Sequence, residues 1–296
     1  MATPKVSIGL PVFNGESSLR IALDSLLAQT SDNFELIISD NASTDQTELI
    51  CRAYAEKDPR IQYFRQDINL GAEANFMFVL ERSVGNYFMW AAADDVRSPD
   101  FIELNCDFLE NHPDYVCSIS PVKFEGKNFD EIQIGDRSLN DDRFDHRIRS
   151  FFGAWHANGA FYSLMRTKVI KKCEWVGKKF LGSDWVIVLY LARAGKLNRL
   201  SSGWLELGIK GLSKNGGIFR IYRSTLLDLV VPFWQMSQAV FGLSKGAPFT
   251  SRVVILRECL IMNVWAIKLQ VVGWLYRLYK LITAKICHFI NGWYDS

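Results

Sequence analysis

From Val6 onward, short apolar runs alternate with stretches whose apolar residues recur every three or four positions. Val6–Val12 is the first run; it predicts a strand and ends at the turn pair Asn14-Gly15. Leu19, Ala22, Leu23, Leu26 and Leu27 then share one face of a predicted helix. Leu36–Ile38 predicts a second strand, halted by Ser39-Asp40-Asn41, and Ser43-x-x-Gln46 reads as a capping box opening a helix to about Tyr54. Ile61–Arg65 is a third strand, followed by a turn at Asn69-Leu70-Gly71 and a helix to about Ser83. Tyr87–Ala91 makes a fourth strand that runs into Asp94-Asp95, and a helix extends from near Pro99 to Asn111. Val116–Ile119 is strand-like again.

Four strand–helix units in roughly the first 120 residues predict an α/β fold: a mostly parallel sheet with helices on both faces. Ligands of such sheets bind beyond the carboxyl ends of the strands, which directs attention to Asn14, Glu16, Asp40, Asn41, Asp94 and Asp95. The usual nucleotide and hydrolase signatures are missing there. No G-x-G-x-x-G follows a predicted strand, no G-x-x-x-x-G-K-[ST] occurs, and no G-x-S-x-G elbow is present.

Composition narrows the class further. The 296 residues are 49% hydrophobic and 22% charged, enough for one large or two small cored domains. A net charge of +2 excludes a globally basic nucleic-acid protein. Residues 245–296 carry seven Lys/Arg against two acids, so a basic, apolar tail follows a slightly acidic body. Six scattered cysteines and four scattered histidines lack the spacing of a disulfide framework or a zinc site, which fits reduced thiols in a cytoplasmic setting. Met1–Lys5 leads straight into the first strand, so no secretory leader is expected.

Two adjacent acids after the uncharged run Tyr87–Ala93 repel each other and are costly to desolvate unless positive charge lies beside them. A divalent cation shared with substrate phosphates is one answer; a solvated turn capping the next helix is the other. Asp40, at the end of the second strand, either accepts an imide N–H from a pyrimidine base or closes an Asx-turn.

Five segments occur in order: Pro11-Val-Phe-Asn14, Ser39-Asp-Asn-Ala-Ser-Thr-Asp45, Asn69-Leu-Gly71 with Asn75, Gly85-Asn-Tyr-Phe88, and Ala93-Asp-Asp-Val96 with Pro99. Their order and spacing over about residues 4–125 resemble the nucleotide-binding half of family 2 glycosyltransferases, which have a GT-A fold. The resemblance implies an inverting transferase that moves a sugar from a nucleotide-diphosphate donor, a UDP-sugar foremost, to a hydroxyl. It assigns Pro11, Phe13 and Glu16 to the base and ribose pocket, Asp40 to the base, and Asn69 and Asp94 to the donor. Asp94 and Asp95 correspond to the acidic metal motif for Mn2+ or Mg2+, although Ala92 stands where the commoner D-x-D-D pattern has its first acid.

Inverting transfer also needs a base for the acceptor hydroxyl. In the resembling family it is an Asp opening a helix well downstream, and Asp184, ahead of the apolar run Val186–Ala194, fits; an ordinary helix cap is the plainer reading. Asp136, Asp141 and Asp142 lie in a polar segment that reads as a loop. Trp155 and Trp185 are candidate acceptor platforms or core residues, and His156 is a candidate acceptor contact or a structural histidine. Lys210 and Lys214, with Arg220, lie in a Gly/Ser/Lys segment that either closes over the diphosphate or is a surface loop.

Residues 253–290 are rich in apolar residues, yet Asn263, Lys268 and Gln270 argue against a bilayer span over Cys259–Tyr276. Beyond Gly273, Leu275, Leu278, Tyr279, Ile282, Ile286, Phe289 and Ile290 share a face opposite Arg277, Lys280, Lys285 and His288. That basic amphipathic pattern predicts docking on anionic lipid; packing on the body or on a sister subunit, as in a homo-oligomer, is the competing reading. The chain is thus expected to comprise a donor half (1–125), an acceptor half (126–225) and a helical tail (226–296). The expected enzyme sits peripherally at the inner face of the membrane and builds cell-surface polysaccharide or glycolipid on a glycan or lipid-linked acceptor. A degenerate, membrane-bound scaffold of the same fold and a sugar nucleotidyltransferase are the alternatives; the latter should show a Gly-rich basic loop after the first strand, and Asn14-Gly15-Glu16 is not one.

Overall fold

The first strand, β1 (Val6–Val12), is buried along its whole length, as an apolar strand at the middle of a sheet should be. The computed structural model describes residues 4–129, 135–153, 157–208, 218–223 and 225–294, with side chains described as far as residue 275. After β1 come α1 (Leu19–Leu27), β2 (Phe34–Asp40), α2 (Thr47–Ala55), β3 (Ile61–Arg65), α3 (Ala72–Arg82), β4 (Tyr87–Trp90), β5 (Val96–Arg97) and α4 (Phe101–Asn111). They are followed by β6 (Tyr115–Ile119), β7 (Val122–Phe124), α5 (Phe144–Phe151), a 3-10 turn at Gly159–Tyr162, β8 (Leu164–Arg166) and α6 (Thr167–Ile170). The remainder is α7 (Ser183–Ala194), β9 (Lys196–Arg199), β10 (Leu205–Leu207), α8 (Ile218–Ile221), α9 (Leu227–Val230), α10 (Trp234–Leu243) and α11 (Phe249–Tyr294).

Seven strands form one sheet in the order β3-β2-β1-β4-β8-β6-β9, and three more form a second sheet, β5-β10-β7. β1 runs parallel to β2 and β4, and β3 extends the parallel set. β8 is antiparallel to both its neighbours, β4 and β6. The expected mostly parallel sheet is therefore present, and strands from beyond residue 125 complete it. Pro11 lies past the last residue of β1 that pairs with β4, so its missing N–H removes no ladder bond on that side.

Side-chain alternation along the strands sorts the interior into two cores. Ile8, Leu10, Leu36, Ile38, Tyr87 and Met89 join one with α1, α2 and α4. Ile37, Phe88 and Trp90, of opposite parity, join the other with α3, α5, α7 and α10. Helices therefore cover both faces. Leu19, Ala22, Leu23 and Leu26 of α1 are buried, as their spacing predicts. β5 and β7–β10 are too short to show periodicity in the sequence; their partners lie far away along the chain.

Asp136 lies in a loop, as its polar segment reads, yet its side chain is turned inward. It is fully buried, accepts the Val122 N–H at 2.6 Å, and pairs with the Arg199 Nε at 3.0 Å. The loop thus clamps β7 to β9. Five cysteines, Cys51, Cys106, Cys117, Cys173 and Cys259, are buried free thiols. Burial pushes each thiol up, to about 11 or about 12. The amphipathic face expected over Leu275–Ile290 lies beyond the described side chains save for Leu275.

Truncating Asp136 to alanine takes the acceptor from the buried Val122 N–H and the carboxylate from the partly buried Arg199 guanidinium. Urea denaturation of Asp136→Ala is expected to show a loss of about 3–5 kcal/mol; a loss below about 1 kcal/mol would rule out the clamp.

Candidate functional site

The loops that leave β1 and β2 are hydrogen-bonded to each other. The Asn14 N–H donates to Ser43 Oγ, Gly15 N–H to Thr47 Oγ1, and Glu16 N–H to Asp45 Oδ2. In return Thr44 N–H donates to Asn14 Oδ1, and Gln46 N–H donates to the Glu16 carboxylate. α2 starts at Thr47, so the expected Ser43–Gln46 capping box does not form. Glu16 supplies the anion at that helix start from the other loop, where the helix dipole favours it. Asn14, at φ 51°, takes the left-handed turn that lets the loop double back.

Asp40 is wholly buried at the end of β2. Its Oδ1 accepts the Ser43 N–H, closing an Asx-turn, and its Oδ2 accepts from Tyr63 Oη at 2.9 Å and Arg65 Nη1 at 2.8 Å. Arg65 also reaches Glu48 at 3.2 Å. The turn is thus formed, and the Asp40 carboxylate is paired with Arg65 rather than bare. Asn69 Oδ1 accepts from Asn41 Nδ2 and the Gly71 N–H, fixing the third loop beside it. Phe13 stands out at this rim with 49% of its surface exposed, unusual for phenylalanine in a rigid turn; Pro11 is buried in β1 beneath it.

The acid pair lies between β4 and β5, and its two members face different surroundings. Asp95 is buried; its Oδ2 accepts the Ala92 N–H and its Oδ1 accepts the N–H of Gly208, at the end of β10. Burial pushes its carboxyl up to about 6; the charge of Arg97 opposes that and that of Asp94 adds to it. Asp94 is half-buried and packs against Gly208 so closely that an added Cβ there would lie 2.1 Å from its Oδ2. Arg97 is fully buried; one nitrogen donates to the Trp90 carbonyl at 2.8 Å, and Nε and Nη1 make no hydrogen bond. Burial lowers its pKa and Asp95 opposes the fall.

Among the described residues no three His, Cys, Asp or Glu side chains converge as a metal cage. The two carboxylates nevertheless suit a hard divalent cation that completes its shell with water and phosphate oxygens. A desolvated acid beside a like charge is the environment such a cation relieves.

The second half of the chain brings its acid to the same place. Trp90 stacks flat on Phe161 with ring centroids 4.7 Å apart, and Phe161 meets Tyr162 edge-on at 5.2 Å. The Tyr162 hydroxyl is held well above its ordinary pKa, by burial first and then by the charges of Asp95, Asp94 and Asp184. Asp184 sits in the first turn of α7, whose cap is Gly182 at φ 84°, so Asp184 is not the cap itself. Its Oδ2 accepts from Asn158 Nδ2 at 3.1 Å. Tyr222, just after α8, is also pushed up, by burial and by Glu73 and Asp184.

Trp185 packs edge-on against Phe151 at 5.4 Å on the core side of α7, the alternative to an acceptor platform. Trp155, His156, Lys210 and Lys214 lie outside the described residues. Arg97, Tyr222 and Gly208 are not singled out by the sequence analysis. Arg97 had a signal: in an extended strand it shares a face with Asp95, two residues before it. Gly208 had none, being 113 residues from the acid it contacts.

The profile of the family described as Glycosyl transferase family 2 matches residues 7–173, more than half the chain. An uncharacterised glycosyltransferase of Rickettsia typhi, RT0329, is 38% identical over 107 residues, 36% of this chain and 32% of that protein. Glycosyltransferase GlyA of Streptococcus pneumoniae is 36% identical over 99 residues, 33% of this chain and 14% of that protein. The matched stretches are a third or less of those relatives' lengths. In structure, S. aureus TarS 1-349 in complex with UDP-GlcNAc superposes with a TM-score of 0.63 at 17% identity, over 86% of this chain and 71% of that one. Mannosyltransferase PcManGT from Pyrobaculum calidifontis, in complex with GDP-Man and Mn2+, gives 0.59 at 14% identity, over 92% and 74%. These likenesses show a shared GT-A fold.

Two outcomes follow from the acid pair. Gly208→Ala must push Asp94 aside, so it is expected to cost about 1–3 kcal/mol in a denaturant titration and to weaken Mn2+ binding in calorimetry; wild-type behaviour on both counts would remove Gly208 from the site. In metal-free protein Asp95 binds its proton more tightly folded than unfolded, so its carboxylate costs stability as the pH rises from the ordinary carboxylate range through about 6. The melting temperature of Asp95→Asn should therefore gain on wild type over that window; parallel curves would contradict the burial.

Proposed function

The chain belongs to glycosyl transferase family 2, and we propose that it transfers a sugar, with inversion, from a UDP-sugar to a hydroxyl of a glycan or lipid-linked acceptor. The observation that supports this reading is structural: Asp184 is hydrogen-bonded to Asn158 at the start of the 3-10 turn whose Phe161 stacks on Trp90, at the end of the strand that leads to Asp94 and Asp95.

The uracil packs on Phe13 against the Asp40–Arg65 pair, with Glu16 and Asn69 holding the loops that frame it. Asp94 and Asp95 would hold the divalent cation, Mn2+ or Mg2+, which when bound supplies positive charge to the diphosphate. Asp184 lies in the first turn of α7, where the helix dipole favours a carboxylate, and is oriented by Asn158. It takes the proton of the acceptor hydroxyl as that oxygen forms its bond to the anomeric carbon. The bond from that carbon to the diphosphate oxygen breaks, and the UDP leaves with the electron pair. Water that enters competes as an acceptor, so the acceptor side works best when closed. A lipid-linked or cell-surface glycan acceptor places the working enzyme peripherally at the inner face of a membrane.

The test is release of nucleoside diphosphate from a panel of UDP-, dTDP- and GDP-sugars in Mn2+, with alkyl glycosides as acceptors. UDP-sugars should be turned over, and Asp184→Asn should cut the rate about 10²–10⁴-fold with donor binding retained. Full turnover by Asp184→Asn would reject it as the base, and no release with any donor would favour a scaffold.

A further inference from the structure

Unlike an ordinary surface helix, α11 is largely apolar on its outward face as well as on its inward one. Its inward face carries Ile255, Cys259, Met262 and Ala266, but also Asn263, whose amide accepts the Phe233 N–H and donates to the Cys259 carbonyl and Ser237 Oγ. Asn263, one of the residues that argue against a bilayer span in the sequence, is therefore spent inside the protein. The outward face carries Val253, Leu256, Leu260, Ile261, Val264 and Trp265, continuing to Trp274 and Leu275, each 38–67% exposed. At 1.5 Å per residue this apolar face runs about 33 Å. A continuous exposed apolar strip of that length marks an interaction surface, not scattered surface leucines.

We propose that the outward face of α11 from Val253 to Leu275 lies in the interfacial layer of an anionic bilayer, parallel to its plane. The charges decide the occupant. Arg257 and Lys268 are exposed along this face, and the one acid beside them, the half-buried Glu258, lies 3.8 Å from Arg257, so Val253–Leu275 keeps a net positive charge. Arg257 and Lys268 border a shallow open groove with Leu260, Ile261, Val264 and Trp265. A second copy of the helix would bring two surfaces of net positive charge together, whereas lipid phosphates supply the balancing charge. Long basic side chains reach up to headgroups while their stems stay among acyl chains, and tryptophan favours the same depth. The sequence beyond Leu275 adds Arg277, Lys280 and Lys285 before the next acid, Asp295. No helix among the described residues is long and apolar enough to cross a membrane, which agrees with lying on it.

This surface deepens the peripheral reading above, but it stands on α11 alone. The experiment is flotation of the full chain with vesicles of phosphatidylcholine, alone or with about a third phosphatidylglycerol. The protein should float with the anionic vesicles only. Arg257→Gln and Lys268→Gln should each lower partitioning about fivefold. Leu260→Glu with Val264→Glu should abolish it while the melting temperature and UDP binding stay at wild-type values. Absence from both vesicle fractions, equal flotation with neutral lipid, or a stable dimer in ultracentrifugation that the Leu260→Glu, Val264→Glu pair dissolves would each overturn the proposal. Flotation without sugar transfer would leave it standing and strike only the catalytic reading.

Discussion

A carboxylate taken out of water needs a counter-charge, and the arrangement at the rim of the sheet follows from that need at Asp95. The partial answer built into the chain is Arg97, two residues on in β5, itself stripped of water and short of hydrogen-bond partners. Neither ion is fully relieved by the other. Two backbone N–H groups, one from Ala92 and one from Gly208, supply the rest. The second explains the small sheet: β10 pairs with β5 and β7, and its end brings Gly208 onto both acids. A site left electrostatically incomplete in this way is suited to an incoming ligand that carries its own cation and anion together.

The same rim is where the two halves of the chain join. β8, from the second half, inserts beside β4, from the first, and Phe161 just before it stacks on Trp90 just before the acids. Tyr162 is carried to the acids by that stack, and α7 delivers Asp184 through a left-handed Gly182 pressed against Met236. The aromatic packing is therefore the means by which distant carboxylates share one small volume.

Much of this was legible in the sequence, and the limit has a physical cause. β1 to α4 announce themselves because each buries a periodic apolar face against its neighbours in sequence. The acids at the strand ends could be found by the rule that places ligands there. Asp40 and Ser43 show where local reading fails: Asp40 meets an arginine 25 residues on, and Ser43 serves the loop after β1 instead of its own helix. Asp136 looked like loop polarity and is a buried clamp, because its partner Arg199 lies 63 residues away. In α11 the expectation of no bilayer span holds among the described residues, but Asn263 faces Phe233 and Ser237 at the start of α10, which the sequence does not show. In each case the missing knowledge was a long-range partner, which no window of sequence contains.

The central claim is that Asp94 and Asp95 grip a divalent cation that bridges to a nucleoside diphosphate. Calorimetric titration of UDP into the protein, once in Mn2+ and once in EDTA, tests it most directly. Binding at least tenfold tighter with Mn2+, and lost in the double variant Asp94→Asn, Asp95→Asn, is the predicted result. Equal affinity in both buffers, or undiminished binding by that variant, would contradict it.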